Sequence, residues 1–233
     1  METIELNGKP VKVTVRRGRR KTADIEFKSK EELLVTLPKN ADFDVKALLR
    51  KHASLIERRY RECLQRKKIL EGNKIRFKGI PYAIHIKRIN KPQGERVSLE
   101  NDTLKIYLMK KENPAIILKR WITYQTEQLV RKTTDAYANL EKPNQIFVQD
   151  TRRWGYCKEN GDVIFNWQLS SLPEGLAKYV VVHELIHLSA MNHQKAFHRK
   201  IFNIFPDYRE KEGELSRYLA IEPNFQFKTT FVY

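Results

Sequence analysis

Residues His183-Glu184-Leu185-Ile186-His187 form the pattern H-E-x-x-H. On an α-helix, residues four apart share a face, so both imidazoles can reach a single ion. Neutral imidazole nitrogen suits Zn²⁺, and Glu184 beside the first ligand can take a proton from a water that such an ion activates. The chemistry implied is metal-assisted hydrolysis with one Zn²⁺ per chain. Catalytic zinc keeps three protein ligands and one open position, so a third ligand is required. His193 is the candidate. On a continuing helix it would point about 80° off the ligand face, so the chain must turn before it. A gluzincin-like plan would instead draw the third ligand from Glu210, Glu212 or Glu214, on a helix read at Asp207–Leu219. His198 is expected near the site or at the surface, because a fourth ligand would close the open position.

The elements that must position these groups follow from their flanks. Ser171 followed by Glu174 reads as a capping box with Pro173 in the first turn, so a helix is expected to begin near Leu172. Val180, Val181, Val182, Leu185, Ile186 and Leu188 make it a core helix that turns its polar groups to one cleft. Asn192, which tolerates a left-handed C-cap, stands where the turn toward His193 would serve. The spacing matches H-E-x-x-H-x-x-G-x-x-H, with Ala190 in the place of its glycine. Upstream, Gln145–Gln149 and Asp162–Trp167 read as two strands, with an Asn160-Gly161 turn leading into the second. Between them lies Arg152-Arg153-Trp154-Gly155-Tyr156-Cys157. An edge strand in this hairpin could hold an extended substrate by backbone pairing. Arg153, Tyr156 and Tyr208 are candidates for substrate or oxyanion contacts.

The rest of the chain reads as α+β. Short β-rich runs occur at Thr3–Leu6, Val11–Val15, Ala23–Phe27 and Leu33–Leu37, and again at Lys74–Phe77, Tyr82–Lys87, Arg96–Leu99 and Thr103–Leu108. One helix is expected from Asp44 to about Lys68, and another from Pro114 to about Leu140. No internal repeat is apparent. Hydrophobic content of 41% in 233 residues marks a folded globular chain. No apolar run approaches a membrane span, so no membrane partner is expected, and METIELNGKPVKV lacks the core of a signal peptide. The two cysteines, Cys63 and Cys157, are then expected to be reduced thiols of a cytoplasmic protein.

Charge divides the chain. Of the formal net charge of +17, residues 1–110 carry +14 and residues 111–233 carry +3. A basic, strand-rich accessory domain over 1–110 and a zincin-like hydrolase domain over 111–233 are therefore expected. The basic clusters at Arg16–Lys21 and Arg58–Lys68 could face a polyanion. Arg16, Arg17, Arg19 and Arg20 are the candidate nucleic-acid contacts.

Arg153-Trp154-Gly155-x-Cys157, Asn166-Trp167-x-Leu169, His183-Glu184-Leu185-x-His187-Leu188 and Asn192-His193-x-x-x-Phe197 together resemble the YgjP-like metallopeptidases, relatives of the SprT-like and WLM zincins. Gly79-Ile80-x-Tyr82 and the basic start are similar to that family's N-terminal part. The resemblance implies zinc held by His183, His187 and His193, with Glu184 catalytic and a peptide or protein substrate. Tyr156 stands where the family has serine. Two other readings keep the metal. Hydrolysis of a nucleoside triphosphate would use the basic charge, yet no glycine-rich phosphate loop is present. A nucleic-acid-binding module with a structural zinc would have no need of Glu184.

Overall fold

The computed structural model describes residues 2–19, 22–39, 44–90, 96–109 and 111–221. Arg20 and Lys21 lie outside the described residues. The chain is a mixed α+β protein that divides into two compact units, Met1–Lys67 and Lys68–Tyr233.

The first unit is a four-stranded sheet backed by helices. Strands β1 (Glu2–Leu6), β2 (Lys9–Gly18), β3 (Asp24–Ser29) and β4 (Glu32–Pro38) are ordered β1-β2-β4-β3. Alternation along β2 and β4 sends Val11, Val13, Leu33, Val35 and Leu37 into a core closed by Leu49, Ile56 and Tyr60. The expected single helix from Asp44 is two. Asp44 caps α1 (Val45–Lys51) by accepting from the Lys46 and Ala47 amides, and His52 at φ −108° breaks the chain before α2 (Ala53–Leu64). Part of the basic tail serves the fold: Arg59 and Arg66 donate to the carbonyls of Ile25 and Phe27 on β3. Arg16, Arg17 and Arg19 are exposed near the end of β2.

After β5 (Lys67–Lys68), the second unit opens with β6 (Leu70–Glu71), β7 (Lys74–Phe77), β8 (Ile80–Arg88), β9 (Val97–Glu100) and β10 (Thr103–Leu108), ordered β6-β7-β8-β10-β9. Strands β7 to β10 repeat the sheet of the first unit. In both, an outer hairpin leads into a central parallel pair, flanked by a second hairpin. Val13 faces Leu33 and Val15 faces Val35 in β2 and β4; Ile84 faces Leu104 and Ile86 faces Ile106 in β8 and β10. Leu6, Val13, Leu33, Val35 and Leu37 are buried, as are Phe77, Ile84, Leu104, Ile106 and Leu108 at a constant offset. The first hairpins turn at Asn7-Gly8 and Lys78-Gly79, all four residues at positive φ, as a type I′ turn requires. Even the following helices begin alike, Asn113 capping α3 (Pro114–Ala136) as Asp44 caps α1. The sequence therefore does hold a repeat. It escapes inspection because it lies in apolar pattern and register more than in residue identity.

Helix α3 ends sooner than expected, at Tyr137 (φ −112°, ψ 37°). Strands β11 (Ile146–Gln149), β12 (Gly155–Cys157) and β13 (Val163–Asn166) follow, ordered β11-β13-β12. The two strands read from sequence are thus a parallel pair, and β12 is the antiparallel edge strand beside β13. A 3-10 turn at Leu169–Ser171 leads to α4 (Glu174–His187), then α5 (Lys195–Ile204), α6 (Tyr208–Leu215) and β14 (Tyr218–Leu219). One core joins Leu104, Ile106 and Leu108 to Ile117, Leu118, Val181 and Ile186. The division of the chain is therefore not at residue 110, where the charge changes. A charge step is a property of surface, whereas the apolar faces of β10 and α3 are buried against one another. Among the described residues, no helix is long and apolar enough to cross a membrane. Cys63 is buried in the first unit, Cys157 sits on β12, and both are free thiols.

Candidate metal centre

Helix α4 is fixed at its start by the second sheet. The amides of Lys78 and Gly79 donate to the carbonyls of Ser170 and Ser171, at 2.9 and 3.0 Å. A Cβ on Gly79 would stand 2.8 Å from Pro173 Cγ, so this turn is packed against the helix entry. The expected capping box does not form. Ser171 belongs to the 3-10 turn, Leu172 and Pro173 are extended, and the Ser171 hydroxyl is buried without a partner. Glu174 instead pairs with Lys178, one turn on, at 2.7 Å. Buried on nearly every side, α4 packs on α3, β12 and β13.

At its far end α4 tightens. Leu188 and Ser189 donate back to Leu185 and Ile186, which releases the chain toward His193. The expected left-handed Asn192 is not used: the non-glycine residues at positive φ, among those described, are Asn7, Lys78 and Asn101. The turn comes from shortened helical hydrogen bonds and the start of α5.

The result is convergence. Ligand atoms of His183, His187 and His193 all lie within 4.8 Å of one another. The Nε2 of His183 is 3.2 Å from that of His187 and 3.1 Å from that of His193. Neutral imidazole nitrogens gathered so closely fit one zinc-like ion. Burial pushes His183 down to about 3, helped by its histidine neighbours, and lowers His187 as well, so both are neutral near pH 7. The ring of Phe197, 1% exposed on α5, lies beneath all three at centroid distances of 4.6–4.8 Å. It fills the space that the imidazoles would otherwise collapse into. Phe197 appears in the sequence motif, but nothing in its residue type distinguishes a support for ligands from ordinary core.

Glu184, one residue on from His183, is 7% exposed and packs against the edge strand β12. Burial raises its pKa to about 7, against the opposing pull of Arg153 and of a hydrogen bond from the Cys157 amide. The contact is intimate: a Cβ on Gly155 would stand 2.8 Å from Glu184 Cγ. Glycine is therefore required here for close approach. Sequence reading overlooked that role, for which the Trp154-Gly155 pair at the start of the strand was the available signal. Asn166 holds the preceding loop by donating to Thr151 at 2.6 Å, and its own amide donates to Trp154 at 3.0 Å.

The remaining candidates separate. Arg153 is exposed and close enough to act on Glu184. Tyr156, between Gly155 and Cys157, projects from the opposite face of β12. Tyr208 is buried beside His198, and its hydroxyl accepts from Arg209 at 3.2 Å. Glu210 and Glu214 are outside the cluster, and Glu212 reaches Tyr179, not the three histidines.

Residues 2–218 match the family model of the YgjP-like metallopeptidase domain. The chain belongs to that family. As a YgjP-like metallopeptidase domain, it has a histidine cluster that could hold a metal. Two solved zymogen structures are similar over part of it. Jannalysin from Methanocaldococcus jannaschii shares 21% identity at a TM-score of 0.32, covering 39% of this chain and 84% of that one. Abylysin from Pyrococcus abyssi shares 25% identity at a TM-score of 0.32, covering 38% and 88%. No curated protein matches.

Proposed function

We propose that this chain is a zinc-dependent peptidase in which His183, His187 and His193 hold one ion and Glu184 is the general base. The observation that carries the reading is the convergence of three imidazole nitrogens next to a buried carboxylate with a raised pKa. When bound, zinc supplies Lewis acidity, lowering the pKa of a water toward ~7 and polarising the scissile carbonyl.

The chain's own groups do the rest. Glu184 takes the proton of the attacking water, holds it on its carboxylate and delivers it to the leaving nitrogen. A pKa near 7 matches both halves of that task, since the group must accept a proton and then give it up. Strand β12 is an edge, so an extended peptide can pair along it, next to Glu184. Arg153 stands at the rim, where its charge can steady the developing oxyanion. A purely structural zinc has no need of a buried carboxylate with a raised pKa beside its first ligand, which favours hydrolysis.

Zinc analysis together with peptide turnover tests the reading. Native protein is expected to carry about one zinc per chain and to lose it on His193→Ala. Glu184→Gln is expected to keep the metal and the fold while turnover falls at least about a hundredfold. Unchanged turnover with zinc retained would remove Glu184 from the mechanism.

A further inference from the structure

Three polar side chains at the back of the histidine cluster, Glu212, Tyr179 and His183, are joined in a row by two contacts. Tyr179 is one turn before His183 on α4 and is 2% exposed. Its phenol oxygen is 3.0 Å from Glu212 Oε1 on α6 and 3.2 Å from His183 Nδ1. Its ring packs edge-on against Phe205 at 5.7 Å.

We infer that Tyr179 and Glu212 are positioning residues that set the tautomer of His183 and so aim its Nε2 lone pair at the metal position. The inference rests on the zinc reading above and adds the means by which the first ligand is prepared.

The argument is one of counting protons. A phenol has a single proton to give, and an ionised carboxylate can only accept. The proton of Tyr179 is therefore committed to Glu212, which leaves the phenol oxygen as an acceptor toward His183. Only an Nδ1–H can fill that role, so the proton of the neutral imidazole sits on Nδ1 and Nε2 is bare. Nε2 is the atom that meets the Nε2 atoms of His187 and His193. The second ligand reaches the same state by a simpler route: His187 Nδ1 is 3.0 Å from the Ala190 carbonyl, which also can only accept. Two ligands on one helix are thus prepared alike, one by backbone and one by a tyrosine relay from α6. Without the relay, His183 can carry its proton on Nε2 instead, and in that form it cannot bind a metal through Nε2. Partners of this kind are typically worth about 10- to 100-fold in metal affinity.

The test is zinc affinity by competition with a chelating dye, on native protein, Tyr179→Phe, Glu212→Gln, Glu212→Ala and the Tyr179→Phe/Glu212→Ala pair. Metal-free melting of each is measured alongside. Tyr179→Phe should weaken zinc about 10- to 100-fold, and Glu212→Ala by less. Glu212→Gln should recover most of the Glu212→Ala loss, because its amide oxygen still accepts the phenol proton. The pair should be no weaker than Tyr179→Phe alone, since Glu212 acts through Tyr179. Cobalt substituted for zinc should show a shifted visible absorption band in Tyr179→Phe. Zinc affinities within about twofold of native in both Tyr179→Phe and Glu212→Ala, with the cobalt band unmoved, would overturn the inference. So would losses that add in the pair. If Tyr179→Phe does not fold, Glu212→Ala against Glu212→Gln decides the matter alone. Failure of the native chain to bind zinc would instead strike the zinc reading.

Discussion

Two residues of the site, Glu184 and Gly155, make opposite demands on the same few ångströms. Glu184 is buried, and burial outweighs Arg153 and the Cys157 amide to bring its pKa to about 7. A carboxyl whose pKa rises on folding stabilises the fold while protonated, and that stability is lost as pH climbs through about 7. Metal-free Glu184→Gln should therefore exceed metal-free native protein in stability at pH 8 by on the order of 3 kcal/mol, with the gap shrinking toward pH 5. His183 runs the other way, its stability being lost as pH falls from 6.5 toward about 3, but that contribution is common to both proteins. Denaturant unfolding in the presence of a chelator, at several pH values, measures the difference. An equal gap at both pH values would show that Glu184 is not held protonated by burial. Gly155 makes room for that carboxylate. Gly155→Ala is expected to push Glu184 aside, leaving zinc bound while kcat/KM falls by on the order of a hundredfold. A zinc-loaded Gly155→Ala protein with native turnover would mean the strand yields instead.

Helix α4 was the most legible element, and its ends were the least. Its two clustered histidines and buried face follow from period and residue type, whereas its start is decided by a neighbour. The capping box at Ser171 and Glu174 is sound as a local signal, but the carbonyls of Ser170 and Ser171 are claimed by Lys78 and Gly79. Tertiary contacts win over a cap worth about 1 kcal/mol. Ser171→Ala should therefore be neutral or slightly stabilising, since it removes a buried hydroxyl without a partner. Asp44→Ala, at a cap that does form, should cost about 0.5–2 kcal/mol. Thermal melts of the two variants side by side check the contrast, and equal losses would restore the capping box. His193, the third member of the cluster, was legible only as a residue, not as a turn. Asn192 was expected to be left-handed, but the helix ends by tightening its own last hydrogen bonds. Phe197, which spaces the three imidazoles, was hidden because aromatic residues in a helix are ordinary core. Phe197→Ala is expected to lower zinc affinity more than it lowers metal-free stability would suggest, by at least about tenfold, read by chelator competition.

Across the whole molecule, composition correctly indicated a folded α+β chain, but net charge misplaced its division. A fragment of residues 68–233 should retain zinc binding, while one of residues 111–233 should not fold, because it lacks Leu104, Ile106 and Leu108 from its core. Circular dichroism and metal analysis of the two fragments distinguish them. A folded, zinc-binding 111–233 would restore the boundary at the charge step. The repeated sheet was invisible for a related reason: register and burial repeat, and neither is written in residue identity. Its two first turns have since parted ways in their freedom to change. Asn7-Gly8 closes its hairpin with nothing within 4 Å of where a Cβ on Gly8 would lie, whereas Lys78-Gly79 is pressed against Pro173. A short peptide tag or a dye-bearing loop spliced into the first turn should leave the enzyme intact. The same splice in the second would lift the metal helix from its seat. One motif, used twice, thus offers the experimenter a handle in one copy and denies it in the other.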